Sequence, residues 1–303
     1  MPINDAHCHF FSPRFFDALM DELVRAGARK AGETGAALAG TLAWEIPTST
    51  EALADRWAAE LDRRSVARAA LIASVPGDEE SVAAAIARHP SRFVGFFMLN
   101  AAAPDAVDRA RRALGELGLR CVCLFPAAHH YRLDDPAVVK VFEVAAELGG
   151  AVFAHCGVLS MGVRRRLGLP SPFDLRLGDP LTLCKTAATF PGVPVIIPHF
   201  AAGFTREGLM AADICPNIHF DTSSSNAWLK YHPEVTLAEV FTRAIEVLGP
   251  DRILFGTDSS FFPRGWHAAI HDEQTAILQR LKVPAADEAK MMGGNFEKLF
   301  PRS

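Results

Sequence analysis

The chain has 303 residues, of which 50% are hydrophobic and 22% are charged, and its formal net charge is −4. This composition predicts an ordered globular protein with a large core, and the sequence contains no run of about 18 apolar residues that could span a bilayer. The slight acidic excess gives no general attraction to nucleic acid or to an anionic membrane, so chemistry on a small molecule is the function class that remains.

The first residues and the cysteines bear on the cellular setting. The chain opens on strand-like residues 2–5, with neither a basic region nor an apolar signal core before them, which favours a cytoplasmic location. The six cysteines include no Cys-x-x-Cys pair and fall largely in apolar segments. We therefore expect reduced, buried thiols that pack as small hydrophobic side chains.

The first predicted elements are a strand, a helix and a long loop. Residues 3–10 read as a strand, and apolar residues recur at helical spacing over 14–27. Residues 28–47 show no periodicity and include three glycines, so we expect a loop on the rim of the fold. The capping-box sequence at 48–51 predicts that a helix follows directly.

From residue 67 onward, strand and helix patterns alternate regularly. With the first strand included, the predicted strands are 3–10, 67–75, 93–99, 119–125, 151–155, 193–199, 218–221 and 252–257. Regular alternation implies a parallel sheet with right-handed crossovers, and eight units at this length predict a closed (β/α)8 barrel, a TIM barrel of α/β class. Since no linker divides the chain, we expect one domain over residues 1–303.

Polar residues stand at the carboxyl ends of these strands, where the active sites of such barrels gather. His7 and His9 lie on the first strand, and alternate positions of a strand share a face. His155 ends the fifth strand, His199 ends the sixth, and Asp258 ends the eighth. Imidazole nitrogens and a carboxylate are ligands that zinc accepts. Convergence of all five on one rim therefore favours a metal site over five separately buried polar residues.

These segments resemble the amidohydrolase superfamily, and more closely its amidohydrolase-related branch, which includes aminocarboxymuconate semialdehyde decarboxylase-like enzymes. The resemblance covers nearly the whole chain and rests on residues 5–10, 155, 198–200, 256–258 and 294–300. It implies a metal-dependent hydrolase type of barrel with one divalent ion, for which zinc is expected. The implied metal ligands are His7, His9, His155 and Asp258. His199 is implied as the catalytic acid or base.

The end of the fourth strand bears on the number of metal ions. Binuclear members of the superfamily carry a carboxylated lysine there, whereas this strand ends in Leu124-Phe125-Pro126. Since neither Lys nor Glu is present, the resemblance implies a single ion. A bound zinc lowers the pKa of its water to about 7, and an imidazole exchanges protons near that pH. Asp258 could act both as a ligand and as a catalytic proton shuttle.

Candidates for substrate contacts also stand on the predicted rim. The planar guanidinium of Arg264 suits a carboxylate, and Trp44 and Trp266 could sandwich a flat substrate. His129 follows the fourth strand and therefore lies on the same rim. The alternatives are a solvent-exposed arginine and indoles that pack against the barrel.

Three functions remain open on the sequence. The leading prediction is a mononuclear metal-dependent hydrolase, which uses metal-activated water to open an amide or lactone bond of a small cyclic or carboxylate-bearing substrate. The second is non-oxidative decarboxylation of an aromatic or unsaturated carboxylic acid, and the third is a catalytically silent barrel that binds a ligand. The expected partner is a small molecule, with neither nucleic acid nor a membrane. A homodimer stays open, because dimers are common in the branch.

Overall fold

The computed structural model describes residues 2–302 and shows eight parallel strands surrounded by helices. The strands are β1 (Ile3–Phe10), β2 (Val66–Ala73), β3 (Phe93–Leu99), β4 (Cys121–Leu124), β5 (Ala151–Ala154), β6 (Val195–Ile197), β7 (Ile218–Asp221) and β8 (Ile253–Leu254). Each is hydrogen-bonded to the next in sequence order, and each overlaps one predicted strand. The predicted TIM barrel is confirmed.

Helices connect the strands and cover the outside of the barrel. The α-helices of the described chain are α1 (Pro13–Arg25), α2 (Ala39–Leu42), α3 (Thr50–Arg63), α4 (Glu79–Arg88), α5 (Ala106–Gly115), α6 (Pro126–His129), α7 (Pro136–Leu148), α8 (Gly162–Arg166), α9 (Pro180–Thr189), α10 (Thr205–Ile214), α11 (Leu237–Leu248), α12 (Ala268–Arg280), α13 (Ala285–Ala289) and α14 (Asn295–Leu299). Their starts follow local chemistry: Ser12 caps α1, and Thr236 with Glu239 forms a capping box on α11. None of the helices within residues 2–302 is long and apolar enough to cross a bilayer.

Apolar side chains form an inner core inside the barrel and an outer core between strands and helices. Along β3, Phe96 and Met98 belong to the inner core, whereas Phe97 and Leu99 belong to the outer core. This alternation is the two-residue period of a strand in a closed sheet. Because side chains fill the interior, the barrel is a packed core rather than a pore, and a site must lie at one of its ends.

The strand β1 breaks this alternation. Its register with β2 shifts between Asp5 and Cys8. Ala6 packs in the inner core, yet Cys8, two residues later, packs in the outer core, although a regular strand would place both on one face. The extra residue is a bulge. It turns His7 inward, where the imidazole lies 5.1 Å from the ring of Phe153 in the inner core, measured between centroids.

The barrel closes between β1 and the segment that follows β8. Cys8 and Ser259 form a parallel bridge. The backbone N–H of His9 donates to the carbonyl of Ser259 at 2.7 Å, and the N–H of Asp258 donates to the carbonyl of His7 at 2.9 Å. Closure of the barrel therefore places Asp258 directly beside the two histidines of β1.

The rim segment 28–47 contains more regular structure than its sequence predicts. A 3-10 helix covers Gly35–Leu38, and α2 follows it at once. Leu38 is fully buried in a cluster with apolar residues of α1. A Cβ on Gly35 would lie 2.5 Å from the backbone of Phe16, so only glycine permits this approach. Packing on α1 orders the segment. The periodicity of its own sequence does not predict that contact.

Candidate active site

Four histidines and one aspartate meet at the carboxyl ends of the strands. His7 and His9 lie on β1, His155 follows β5, His199 follows β6, and Asp258 follows β8. Between ring centroids, His7 lies 5.1 Å from His9 and 4.9 Å from His199, and His155 lies 5.4 Å from His199. Ligand atoms of His7, His9 and Asp258 lie within 4.8 Å of one another. His155 stands next to this group of three but does not meet that distance.

His9 directs its Nε2 atom at Asp258. The hydroxyl of Ser74 donates to the carbonyl of Ile72 at 2.9 Å and so accepts from Nδ1–H of His9 at 2.8 Å. This bond fixes the tautomer whose lone pair is on Nε2. Nε2 lies 3.2 Å from Oδ1 of Asp258. A lone pair and a carboxylate oxygen at this distance need a proton or a cation between them.

His7 is held from behind by Asp221 on β7. Oδ2 of Asp221 accepts from Nδ1 of His7 at 2.9 Å, which leaves the lone pair on Nε2. That Nε2 is buried without a hydrogen-bond partner in residues 2–302, and it lies 3.7 Å from Oδ1 of Asp258. A buried nitrogen without a partner is costly, and a carboxylate behind an imidazole is a common support for a metal-binding histidine. The environment of His7 therefore fits a metal ligand.

A second group also has its ligand atoms within 4.8 Å of one another, namely His7, His199 and Asp221. Its members are already joined by hydrogen bonds, because Asp221 accepts from the Nδ1 atom of His7 and from the backbone N–H of His199 at 3.2 Å. Hydrogen bonding thus accounts for their proximity. The first group is the better candidate for a cation.

His155 contributes a neutral imidazole. Burial, together with the neighbouring His199 and His7, lowers the pKa of His155 to about 3. The neutral form is the one that binds a metal ion. Phe125, at the end of β4, stacks on this ring with centroids 5.4 Å apart. The β4 end thus supplies an aromatic wall where a binuclear site would need a ligand.

The carboxylates of the site give it a negative potential. Burial acts to raise the pKa of Asp258, but the neighbouring imidazoles of His9, His7 and His199 outweigh burial and hold that pKa well below its usual range. The pKa of Asp221 is also lowered, since His7 outweighs the effect of burial. Conversely, burial acts to lower the pKa of His7, but Asp221 raises it above its usual value. Two ionised carboxylates at one rim, the fully buried Asp221 and the half-buried Asp258, suit a bound cation.

His199 stands on a strained turn. His199, Phe200, Ala201 and Ala202 all have positive φ, between 41° and 64°. Such a conformation costs non-glycine residues on the order of 1–3 kcal/mol each. Gly157, in the loop after β5, packs against this turn. A Cβ added to Gly157 would lie only 2.0 Å from the carbonyl oxygen of Ala201. The surrounding structure therefore holds His199 in a conformation that its own sequence does not favour.

The structure does not bring Trp266 to the site. Its side chain is 3% exposed and packs in the outer core. The indole N–H donates to Oδ2 of Asp5 at 2.7 Å. This N–H, which we expected at the rim, therefore has its hydrogen-bond partner below the rim. This placement does not support a substrate sandwiched between Trp44 and Trp266.

Trp44 and Arg264 both contact the ring of Phe261. Trp44 stacks on it with centroids 4.2 Å apart, and the guanidinium carbon of Arg264 lies 4.5 Å from its centre. Nη2 of Arg264 donates to the carbonyl of Asp258 at 3.3 Å and to the hydroxyl of Ser260 at 3.0 Å. Its Nε is buried and has no partner in the described chain. This guanidinium, beside a candidate metal ligand, keeps donors free for an anion.

His129 lies on α6, directly after β4, and is half-buried. Burial, with a smaller effect of His130, lowers the pKa of His129 to about 4. Its Nδ1 has no hydrogen-bond partner among the residues that the structure describes. A neutral ring with a free nitrogen can bind a polar substituent, so the predicted substrate contact stays a prediction.

Ser223 is a site residue for which the sequence gives no metal or catalytic pattern. It is fully buried, and its hydroxyl lies within hydrogen-bonding distance of His7, His199 and Asp221. The only signal is its position two residues after β7, at the carboxyl end of a barrel strand.

Comparison with known proteins identifies the family of the chain. The family model described as amidohydrolase matches residues 4–302. A 2-amino-3-carboxymuconate-6-semialdehyde decarboxylase of Dictyostelium discoideum is 31% identical over 77 residues, which are 25% of this chain and 21% of that protein. This chain thus aligns with about a fifth of that relative's length.

Two solved structures are similar over nearly their whole length. The 5-carboxyvanillate decarboxylase of Sphingomonas paucimobilis has a TM-score of 0.65 at 17% identity, with 100% of this chain and 99% of that chain covered. A dihydroxybenzoic acid decarboxylase of Polaromonas sp. JS666, with bound manganese and an inhibitor, has a TM-score of 0.64 at 18% identity, with 99% and 96% covered. At these identities the likeness establishes the fold.

Proposed function

The chain belongs to the amidohydrolase family, and from that premise we propose that it is a metal-dependent enzyme that removes carbon dioxide from an aromatic or unsaturated carboxylic acid without oxidation. The observation that carries the proposal is the group of His7, His9 and Asp258, whose ligand atoms lie within 4.8 Å of one another. Arg264 donates beside Asp258. A cation site next to a guanidinium suits a carboxylate substrate.

The choice of decarboxylation over hydrolysis is supported by the relatives. All three proteins named above are described as decarboxylases. This reverses the order in which the sequence alone places the two reactions. Hydrolysis of an amide or lactone bond is the alternative, since the same donor set would serve it.

The proposed ligands of one divalent ion are His7, His9, His155 and Asp258. Their chemistry fits, because His9 and His7 carry lone pairs on Nε2 and His155 is neutral. When bound, the ion supplies positive charge that neutralises the substrate carboxylate and a neighbouring oxygen. Three imidazoles and a carboxylate suit zinc, and manganese is the alternative because it is bound in the Polaromonas structure.

His199 is proposed to deliver the proton to the carbon that loses its carboxylate. In the overall change, the carboxylate and one proton become carbon dioxide and a new C–H bond. Nδ1–H of His199 donates to the carbonyl of Ser223 at 3.2 Å, which leaves Nε2 for the transfer. Burial and the nearby His7 lower the pKa of His199, so a proton added to it is readily released. Asp258 is proposed as the second proton shuttle.

The substrate would lie between this group and the aromatic residues of the rim. Arg264 is proposed to bind a carboxylate, and His129 a polar substituent. Trp44 would shape the wall through its stack on Phe261. A flat, anionic molecule fits these side chains best.

The test is incubation of the metal-loaded protein with a panel of aromatic and unsaturated carboxylic acids in deuterated water. Release of carbon dioxide, with one deuterium at the carbon that carried the carboxylate, supports decarboxylation. A parallel panel of amides and lactones is incubated in water labelled with oxygen-18. Opening of one of them, with the oxygen label in the product, would support the hydrolase instead. Ligand binding without either reaction, unaffected by removal of the metal, would indicate a silent barrel. His7→Ala is expected to abolish turnover.

A further inference from the structure

One buried hydroxyl lies between the two histidines on which the proposed chemistry depends. Ser223 follows β7 and is fully buried. Its Oγ lies 2.9 Å from Nδ1 of His7 and 2.8 Å from Nδ1 of His199, and it also donates to Oδ1 of Asp221. The hydroxyl thus contacts a proposed metal ligand, a proposed proton donor and the carboxylate behind them.

The direction of each hydrogen bond follows from the supply of donors. Asp221 receives the backbone N–H of Ser223 at 2.8 Å, the backbone N–H of His199 at 3.2 Å and Nδ1 of His7 at 2.9 Å. A carboxylate in this setting acts as an acceptor, so the hydroxyl proton of Ser223 points to it. The two lone pairs left on Oγ then accept from Nδ1–H of His7 and from Nδ1–H of His199.

Two further acceptors give the same assignment. The carbonyl oxygen of Ser223 lies 3.2 Å from Nδ1 of His199, and a carbonyl can only accept. Likewise, Oδ2 of Asp221 is an acceptor for Nδ1–H of His7. Both rings therefore carry hydrogen on Nδ1 and a lone pair on Nε2.

The close approach of these groups depends on a missing side chain. A Cβ on Gly256, in the segment after β8, would lie 3.0 Å from Cβ of Ser223 and 3.1 Å from Cβ of His7. Glycine at this position therefore lets the end of β7 pack closely against β1. The short distance from the Ser223 hydroxyl to His7 follows from that packing.

We propose that Ser223 is a positioning residue that holds His7 and His199 together in their Nδ1–H tautomers, so that both Nε2 atoms are free for function. For His199 this rests on the proposed function, because it makes Nε2 the atom that passes the proton. When His199 gains a proton on Nε2, its Nδ1–H still donates to Ser223, so the ring keeps one orientation in both protonation states. For His7 the same hydroxyl helps direct Nε2 toward Asp258.

The direct test is nitrogen NMR of metal-free and zinc-loaded wild-type protein in which histidine is labelled with ¹⁵N. The signals of His199 are assigned from their loss in His199→Gln. We expect a protonated Nδ1 and an unprotonated Nε2 at neutral pH. A wild-type protein with hydrogen on Nε2 instead would overturn the proposal, whether or not any substrate is turned over.

Ser223→Ala tests the consequence, and Ser225→Ala is the matched control because Ser225 is exposed. Ser223→Ala removes the closer acceptor of His199 Nδ1–H and leaves the backbone carbonyl at 3.2 Å, so we expect a minor Nε2–H tautomer to appear at His199. We also expect a loss in kcat of about 10–100-fold, with KM within about twofold of wild type. The zinc content should persist, since Asp221 still holds His7. Wild-type kcat with a single His199 tautomer in this variant would contradict the role.

The two proposals can fail separately. Wild-type protein that shows the expected tautomer but forms no product from any carboxylic acid would defeat the proposed function and leave the assignment of Ser223 standing. If Ser223→Ala does not fold, the His199 tautomer measured by NMR in the wild-type protein still tests the proposal.

Discussion

Nε2 of His9 lies 3.2 Å from Oδ1 of Asp258, although the two residues stand near opposite ends of the chain. Closure of the barrel makes this contact. The backbone of Asp258 and Ser259, after β8, is hydrogen-bonded to the backbone of His7 and His9 on β1. The candidate site thus lies at the point where β1 and the segment after β8 close the barrel. We expect a change in the site to alter the stability of this closure, and the reverse.

Metal binding should therefore stabilise the fold as well as the site. Zinc at about 1,000 times its Kd should add about 4 kcal/mol to the free energy of unfolding. Calorimetry with and without the ion measures this as a rise in Tm. His9→Ala should lose most of the rise, whereas Lys140→Ala, on the outer helix α7, should keep it. An equal rise in both variants would place the ion elsewhere.

Gly157→Ala should destabilise the protein strongly. The added Cβ would lie 2.0 Å from the carbonyl oxygen of Ala201, and Gly157 has a φ of +84° that alanine rarely adopts. We expect a loss of more than about 2 kcal/mol in urea unfolding, with lower activity because the turn that carries His199 must shift. Gly162→Ala is the matched control, since its Cβ would have nothing within 4 Å. Equal stability of the two variants would refute this account.

His219 should make stability depend on pH. Burial lowers the pKa of His219 to about 4 in the folded protein, from an ordinary value of 6.5. Between these values the unfolded chain binds a proton that the folded chain does not, so stability falls as the pH drops from 6.5 to about 4 and this contribution then levels off. Urea unfolding of His219→Gln across this range should show a shallower fall than wild type. Parallel curves would show that His219 does not contribute.

Arg264→Ala should weaken substrate binding more than turnover. Loss of a charge-assisted hydrogen bond costs about 1.5–3 kcal/mol, which corresponds to a rise in KM of roughly 10–150-fold. Steady-state kinetics on the carboxylic acid found in the panel measures it. Arg176→Ala is the control, because that exposed arginine pairs with Asp174. A fall in kcat with unchanged KM would instead give Arg264 a role in the chemical step.

Sequence patterns predict the barrel well because its strands are apolar segments with a polar residue at the end. His155 and His199 each end such a segment, and the closed parallel sheet then brings their rings within 5.4 Å. His7 is found in another way, because its pairing with His9 at alternate positions lies within the first strand. Candidate site residues at strand ends can therefore be predicted from the sequence before any tertiary contact is known.

Side chains whose role depends on a partner from another strand are not visible in this way. Trp266 reads as a rim residue, but Asp5 provides an acceptor below the rim that no local pattern reveals. The function of Ser223 depends on a close approach of β7 to β1 that the sequence does not encode locally. Such roles come from tertiary packing.

The bridge between Cys8 and Ser259 also has a consequence for biosynthesis. A ribosome makes the N-terminus first, at roughly 5–20 residues per second. The two histidines of β1 therefore emerge long before the aspartate that completes their group, and the nascent chain has no finished cation site until the last strand is released. Capture of the ion should thus report that the barrel has closed between β1 and the segment after β8.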